Sequence, residues 1–287
     1  MTETWGEPLA HYGYWRVGGP MDHFVVVDTL AELHGALAGP GPHWLLGNGS
    51  NLLAPDAGLR GTTLRLGPGF RGLDVGEGDR ARVGAGLLNT VLLTRLGRLG
   101  LSGLGCLAGV PGTVGGAVVM NAGTTLGEVS DRLLSVDGVC GGEVVHLERA
   151  ALPMHYREGG LPEGFVVTHA TFQLGRDPTE ADRIAAHLVK RRATQPLDLP
   201  SCGSVFRNPP GDAAGRLIEA VGLKGHRIGG AEISARHANF IVNRGDATAA
   251  DVMACIRTAW ERVRDAQGIV LVPEVRVLGT WPDWPLG

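Results

Sequence analysis

Apolar and polar positions along this chain follow two periods. FVVV (24–27) is a continuous apolar run of the kind that forms a buried strand, and DTLAELHGALA follows with Leu30, Leu33 and Leu37 on one helical face. Asp28 or Thr29 can cap that helix. WLLGNGSN predicts a short strand running into a glycine turn, and TTLRL (62–66) and ARVGAG (81–86) predict two more strands. Leu88, Leu92 and Leu96, four residues apart, predict a helix over 87–100. LLSVDGV and EVVHL, joined by Cys-Gly-Gly, read as a β-hairpin, and FVVTHATFQL (165–174) as a long strand with partial alternation.

The pattern then changes. DPTEADRIAAHLVKRRATQP (177–196) predicts a polar helix ending on a proline, a candidate domain junction. Beyond it come a helix at 212–221, a strand at 238–243 and a helix at 248–267. The last of these opens with Thr248 and Asp251 in capping-box spacing and carries Val252, Ile256, Trp260 and Val263 as its apolar face. Gly268 stops it, and PEVRVLG (273–279) supplies a final strand. The order is mixed α+β and not the regular alternation of a doubly wound sheet.

At 287 residues the chain can bury two or three cores. A net charge of −3 with mixed signs gives no basic surface for nucleic acid or an anionic membrane. No apolar stretch approaches the ~20 residues a membrane span needs, and the start has no apolar secretory region. Four cysteines, far apart and without C-x-x-C spacing, fit a reducing cytoplasm, and the ten scattered histidines predict no metal. Glycine is the outlier. There are 46, about twice the usual ~7 %, clustered between 35 and 160, where they serve left-handed turns or close approach to a ligand.

Candidate chemistry lies in a few stretches. GPGFRG (67–72) formally matches a dinucleotide fingerprint, but turn and strand follow it where a helix is needed. LGNGSNLL (46–53) places Gly47, Gly49, Ser50 and Asn51 in a turn that can aim backbone N–H groups at phosphate oxygens. In GVPGTVGGAVVMNAG (109–123), Gly112, Gly115 and Gly116 admit close backbone approach, and Thr113, Asn121 and Ala122 add little bulk; tight packing of small residues would explain the same run. Arg157 can clamp a carboxylate or lie solvated. Glu274 opens an apolar strand, where an acid needs a partner, a proton or water. Ser204, in SCGSVFRNPP, reads alone as a turn serine, and Lys224 and His237 are polar contacts without further signal.

Taken in order, LGNGSNLL, GVPGTVGGAVVMNAG, SCGSVFRNP, GHRIGGAEIS and PEVR resemble the UDP-N-acetylenolpyruvoylglucosamine reductase family, over nearly the whole chain from WRVGGP (15–20) to PEVRVLG. The resemblance is to the subgroup without an extra tyrosine-bearing loop, because 157–175 is short. It implies an α+β fold: a two-subdomain FAD-binding region of the vanillyl-alcohol oxidase-like type (1–66 and 67–178) plus a C-terminal α+β substrate-binding domain (179–287), the last strand packing back on the first subdomain. Arg157 falls on the family's catalytic arginine, Ser204 on its proton donor and Glu274 on its catalytic glutamate. Asn208 and Arg276 fall on substrate contacts, and Arg192, Lys224 and His237 are assigned to the same group. Non-covalent FAD is implied at Gly47, Asn48, Gly49, Ser50, Asn51, Gly112, Thr113, Gly115, Gly116, Asn121, Ala122 and Gly123. NADPH is the implied co-substrate of a cytoplasmic monomer that reduces an enolpyruvyl ether. The usual N-A-G-A-Y-G is NAGTTLG here, which leaves Thr124 and Thr125 without a role, and a thiol at Cys202 stands close enough in sequence to Ser204 to rival it.

Overall fold

The computed structural model describes residues 1–281; residues 282–287 of the expected C-terminal domain lie outside the described residues. Two compact units are present. One comprises Met1–Thr4, Phe24–Asn48 and Gly61–Arg191, the other Trp5–His23, Gly49–Arg60 and the chain from Arg192 onward.

The first unit is built on a five-stranded antiparallel sheet. Its strands run in the order Glu143–Glu148, Leu133–Cys140, Val166–Gln173, Arg80–Gly84 and Leu73–Val75. The expected hairpin closes through Gly141 and Gly142, with φ of 58° and 83°, a two-residue turn open to glycine because both positions are left-handed. The strand over 166–173 has neighbours on both sides, so Val167, Ala170 and Phe172 are buried in the core with Val83, Leu92, Leu96, Val118 and Val136. A second sheet runs in the order Thr2–Pro8, Pro20–Val27, Leu59–Leu66 and His43–Leu45, the last two parallel.

Four helices accompany these strands. In α1 (Leu30–Leu37) the Thr29 hydroxyl caps the Glu32 N–H, and of the three leucines only Leu33 is fully buried. The Asp28 carboxylate instead accepts the Gly69 N–H. An added Cβ at Gly67 or Gly69 would overlap Asp28, so the GPGFRG glycines serve close packing here. Helix α2 (Asn89–Arg98) buries Leu92 and Leu96, each worth about 1.5–3 kcal/mol; Leu88 stands at its cap, outside the helix. Helix α3 (Val114–Val119) is short and capped by Thr113. Helix α4 (Glu180–Thr194) is shorter than the expected 177–196: Asp177 accepts the Thr179 N–H ahead of it, and Pro196 disfavours helical backbone at Gln195.

In the second unit, α5 (Ala214–Ala220) and α6 (Ala249–Gln267) pack on an antiparallel sheet of Arg227–Ile228, Ala231–Ile233 and Ile241–Asn243. The expected strand at 238–243 becomes regular only at Ile241, because the Phe240 N–H turns back to the His237 carbonyl. Helix α6 has the expected Thr248–Asp251 capping box and ends at Gly268 with φ 69°. Val252, Ile256 and Val263 are buried, whereas Trp260 is half-buried beneath the Arg264 guanidinium, 4.6 Å from its ring. The final strand is regular only over Arg276–Val277, which pairs in parallel with Leu52–Leu53. Among the described residues no helix is long and apolar enough to cross a membrane, and no cluster of His, Cys, Asp and Glu could hold a metal ion.

Candidate active site

The two glycine turns of the first unit meet at Thr113. Its hydroxyl accepts the Gly116 N–H at 3.3 Å, and a Cβ built at Gly47 would stand 3.1 Å from the same oxygen. The second turn is held from behind by Asn89, which is buried and missed by the leucine periodicity. Its backbone N–H donates to Gly112 and its side-chain amide to Val110. The signal was available: an amide sits next to the apolar stripe at the start of a helix.

These glycines are not alike. Gly112 has φ 133°, a backbone that side chains avoid, and a Cβ at Gly115 would come within 2.9 Å of the Ala85 Cβ. Gly116 is exposed, and a Cβ there would meet only the Thr113 hydroxyl at 3.7 Å. The protein's own packing therefore does not require glycine at 116. An open face without Cβ atoms at Gly47 and Gly116, beside one hydroxyl, suits a large ligand laid against the backbone, so these residues fit FAD. Asn48 and Ser50, both half-buried, continue the first turn. Gly49, in the second unit, has φ 64° and no room for a Cβ against the Tyr12 carbonyl.

Asn121, Ala122 and Gly123 face inward. Ala122 and Gly123 are buried, and a Cβ at Gly123 would stand 2.6 Å from the Gly127 carbonyl. Asn121, 1 % exposed, makes three internal side-chain hydrogen bonds. Its amide donates to the Glu128 carboxylate at 2.9 Å and to the His155 carbonyl at 3.0 Å, and its oxygen accepts the Ser130 N–H at 2.9 Å. Of the two residues left without a role, Thr124 caps the Leu126 N–H and Thr125 contacts His187 at 3.2 Å.

Arg157 sits at the tip of a tight turn. His155 and Glu158 exchange both backbone hydrogen bonds at 2.9 Å, leaving Tyr156 and Arg157 as the two linking residues, and Arg157 has φ 61°. Its guanidinium lies 4.9 Å from the centroid of the Tyr156 ring.

In the second unit backbone pairing sets Glu274 opposite Val205, the residue after Ser204. The segment after Ser204 is gripped on one side by Asn239, whose carbonyl accepts the Val205 N–H and whose side chain bonds both the N–H and the carbonyl of Phe206. On the other side Glu274 N–H donates to the Val205 carbonyl and Arg207 N–H to that of Val272. Asn51 then fixes Glu274: its amide donates to the Glu274 carbonyl at 3.0 Å, while the Arg276 N–H donates to the Asn51 carbonyl. Cys202 points away into the core toward the carbonyls of Leu52 and Gly49, and burial pushes its thiol up to about 12. A thiol buried against two backbone carbonyls is a weaker acid than an exposed one.

Of the expected substrate contacts, Asn208, Lys224 and His237 lie around α5, where a Cβ at Gly215 would meet the His237 ring at 3.1 Å. The Asn208 side chain accepts the Ala214 N–H at 3.0 Å, capping α5 in place of Ala213. Lys224 pairs with Glu219 at 2.9 Å. His237 packs edge-on against Phe240 and accepts the Asn239 N–H on Nδ1, and burial lowers its pKa, so its ring is neutral. Arg276 and Arg192 are exposed, Arg192 in the last turn of α4.

A family model described as FAD binding domain matches residues 25–148, and one described as UDP-N-acetylenolpyruvoylglucosamine reductase, C-terminal domain, matches residues 195–278. Together these define an FAD-dependent oxidoreductase. The UDP-N-acetylenolpyruvoylglucosamine reductase of Anaeromyxobacter sp. (strain Fw109-5) is 47% identical over 278 residues, covering 95% of this chain and 87% of that protein. The corresponding protein of Moorella thermoacetica is 44% identical over 280 residues, covering 95% and 92%. The crystal structure of UDP-N-acetylenolpyruvylglucosamine reductase from Thermus caldophilus superposes with a TM-score of 0.85 at 40% identity, covering 97% of this chain and 98% of that one. The chain belongs to the UDP-N-acetylenolpyruvoylglucosamine reductase family.

Proposed function

We propose that this protein reduces the enolpyruvyl group of UDP-N-acetylglucosamine enolpyruvate to the lactyl ether of UDP-N-acetylmuramate, with NADPH as the electron source and Ser204 as the proton donor. The observation that carries the reading is the pairing of Glu274 with Val205, which sets a hydroxyl and a carboxylate from distant parts of the sequence on neighbouring backbone positions. Non-covalent FAD would be held by Gly47, Asn48, Gly49, Ser50 and Asn51 and by Gly112, Thr113, Gly115 and Gly116, with Asn121, Ala122 and Gly123 supporting the second turn from within. In this reading 1–66 and 67–178 form the flavin-binding subdomains and 179–287 the substrate-binding domain; the flavin family match falls within the first two and the reductase match within the third.

Bound FAD, once reduced by NADPH, would supply the hydride that adds to the terminal carbon of the double bond. The electron pair of that bond then gathers on the carbon bearing the carboxylate, as an enediolate-like species. Arg157 stabilises the charge as it develops, and Glu274, carrying a proton, donates a hydrogen bond to it. Ser204 delivers its hydroxyl proton to the same carbon, completing the addition of two hydrogens across the bond. A carbanion beside a carboxylate is basic enough for a serine to quench, and general-acid help of this kind is worth ~10²–10⁴-fold. Asn208, Arg276, Arg192, Lys224 and His237 are the proposed contacts to the sugar nucleotide. The protein acts on small molecules as a cytoplasmic monomer.

The test is to purify the protein, record its flavin spectrum and follow NADPH absorbance with and without the enolpyruvyl substrate. Substrate-dependent oxidation is expected. NADPH oxidation indifferent to the substrate would overturn the reading.

A further inference from the structure

We infer that Asn121 is a positioning residue for Arg157, acting through the backbone of the turn that carries the arginine. The inference rests on the proposed role of Arg157 for its kinetic readout and on the geometry alone for the rest.

The arginine turn spans only His155–Glu158 and has left-handed backbone at Arg157, a conformation that costs a non-glycine residue about 1–3 kcal/mol and persists only where the surroundings impose it. Two contacts from the 118–121 segment impose it. Asn121 donates to the His155 carbonyl at 3.0 Å, so that oxygen receives both the Glu158 N–H and the asparagine amide. Just past the arginine, the Gly159 N–H donates to the Val119 carbonyl at 3.0 Å, and a Cβ at Gly159 would overlap the Val118 carbonyl. The turn is thus pinned on both sides of Arg157 to the end of α3.

The pin is itself anchored. The second N–H of the Asn121 amide goes to Glu128, whose carboxylate also accepts the Asp131 N–H in a capping box. A carboxylate acceptor makes that bond charge-assisted and fixes the amide plane, which aims the other N–H at His155. The Asn121 oxygen is fixed by the Ser130 N–H. Asparagine also tolerates the positive φ of 41° found at this position. One buried side chain therefore joins the 121–131 loop to the arginine turn, with both amide hydrogens committed to that junction.

The test uses Asn121→Asp in the full-length protein, alone and combined with Arg157→Ala. Aspartate keeps the acceptor for Ser130 but removes the donor to His155 and faces Glu128 with a like charge. Three results are expected. With the protein saturated with FAD, flavin reduction by NADPH falls less than reoxidation does, whatever FAD affinity is lost from the second glycine turn. Reoxidation of the reduced flavin by the enolpyruvyl substrate slows ten-fold or more, since displacing a reacting group by ~1 Å can cost ~10²-fold. Amide exchange in a peptide covering 155–158 becomes faster. In the Arg157→Ala background the same substitution changes reoxidation by less than about two-fold. Equal losses in both backgrounds would overturn the inference, as would unchanged exchange at 155–158. If Asn121→Asp does not fold, Glu128→Gln replaces it in the same cycle, with a slowing of about two- to five-fold expected from a charged bond becoming a neutral one. Should the wild-type flavin ignore the substrate altogether, the proposed function fails, and the exchange measurement still decides whether Asn121 pins the turn.

Discussion

The backbone N–H of Glu274 donates to the carbonyl of Val205 at 2.8 Å, so Glu274 is paired with the residue that follows Ser204. Asn239 holds the same segment from its other edge. The backbone that follows Ser204 is thereby restrained on both edges, which suits the proposed delivery of its proton to one carbon.

Replacing Ser204 by alanine should leave flavin reduction by NADPH intact while substrate reduction falls ~10²–10⁴-fold. Cys202→Ala should keep turnover within a few-fold, because that thiol is buried against Leu52 and pushed up to about 12. Stopped-flow traces of the two half-reactions check both. Turnover of Ser204→Ala within a few-fold of wild type would remove the serine from its role.

Asn51 is expected to matter through Glu274. Its amide donates to the Glu274 carbonyl at 3.0 Å, and the Arg276 N–H returns to its own carbonyl. Asn51→Ala removes the donor and should cost about 1–3 kcal/mol in chemical denaturation, with a lower kcat. A variant as stable and as fast as wild type would show that the pairing with Val205 suffices to hold the glutamate.

Much of this was legible in the sequence, and the rest fails for identifiable reasons. The hairpin at Gly141–Gly142, the capping box at Thr248–Asp251 and the leucines of α2 are local signals, and they report correctly because the deciding contacts are near in sequence. The strand beginning at Ile241 is shorter than its apolar pattern because His237 and Phe240 form a turn, which periodicity does not see. Asn121 and Asn208 sit in motifs that point to ligands, and their side chains also bond His155, Glu128 and the start of α5, partners 6 to 34 residues away. A polar residue in a glycine-rich motif looks the same in sequence whether it faces a ligand or supports the loop that does.

The outer face of the first unit predicts a modest pH response. The His146 ring donates to Asp137 at 2.7 Å and, when protonated, to Glu148 at 3.2 Å, and these carboxylates, Asp137 first, raise its pKa. Burial of Asp137 works to raise its own pKa, but the bonds from His146 and Arg82 outweigh it and the net direction is down. A raised histidine stabilises fully below its unfolded value and loses that as pH rises through the folded one. A lowered aspartate stabilises above its unfolded value and loses that as pH falls. The cluster therefore contributes most between about pH 4 and 6.5. The histidine is half exposed, so the contribution is below about 1 kcal/mol. An NMR titration should place His146 above ~6.5, and Asp137→Asn should bring it down. The stability gap between wild type and His146→Gln should be wider at pH 5 than at pH 8.5; a gap that widens with pH would refute the pairing.

Neighbouring glycines in α3 offer the sharpest separation of ligand binding from folding. A Cβ at Gly115 would come within 2.9 Å of the Ala85 Cβ, so Gly115→Ala overpacks the core and should cost about 1–3 kcal/mol. Gly116 is exposed, its φ is not left-handed, and its Cβ would meet only Thr113 at 3.7 Å. Alanine there should leave the flavin-free protein as stable as wild type, or up to about 1 kcal/mol more so because glycine is unfavourable inside a helix. If FAD lies against that bare backbone, Gly116→Ala should nonetheless weaken FAD binding ten-fold or more, measured by quenching of flavin fluorescence on titration into the flavin-free protein. Undiminished affinity would mean that the open face at Gly47 and Gly116 is not where the flavin sits, and that the glycine at 116 has no role the structure explains.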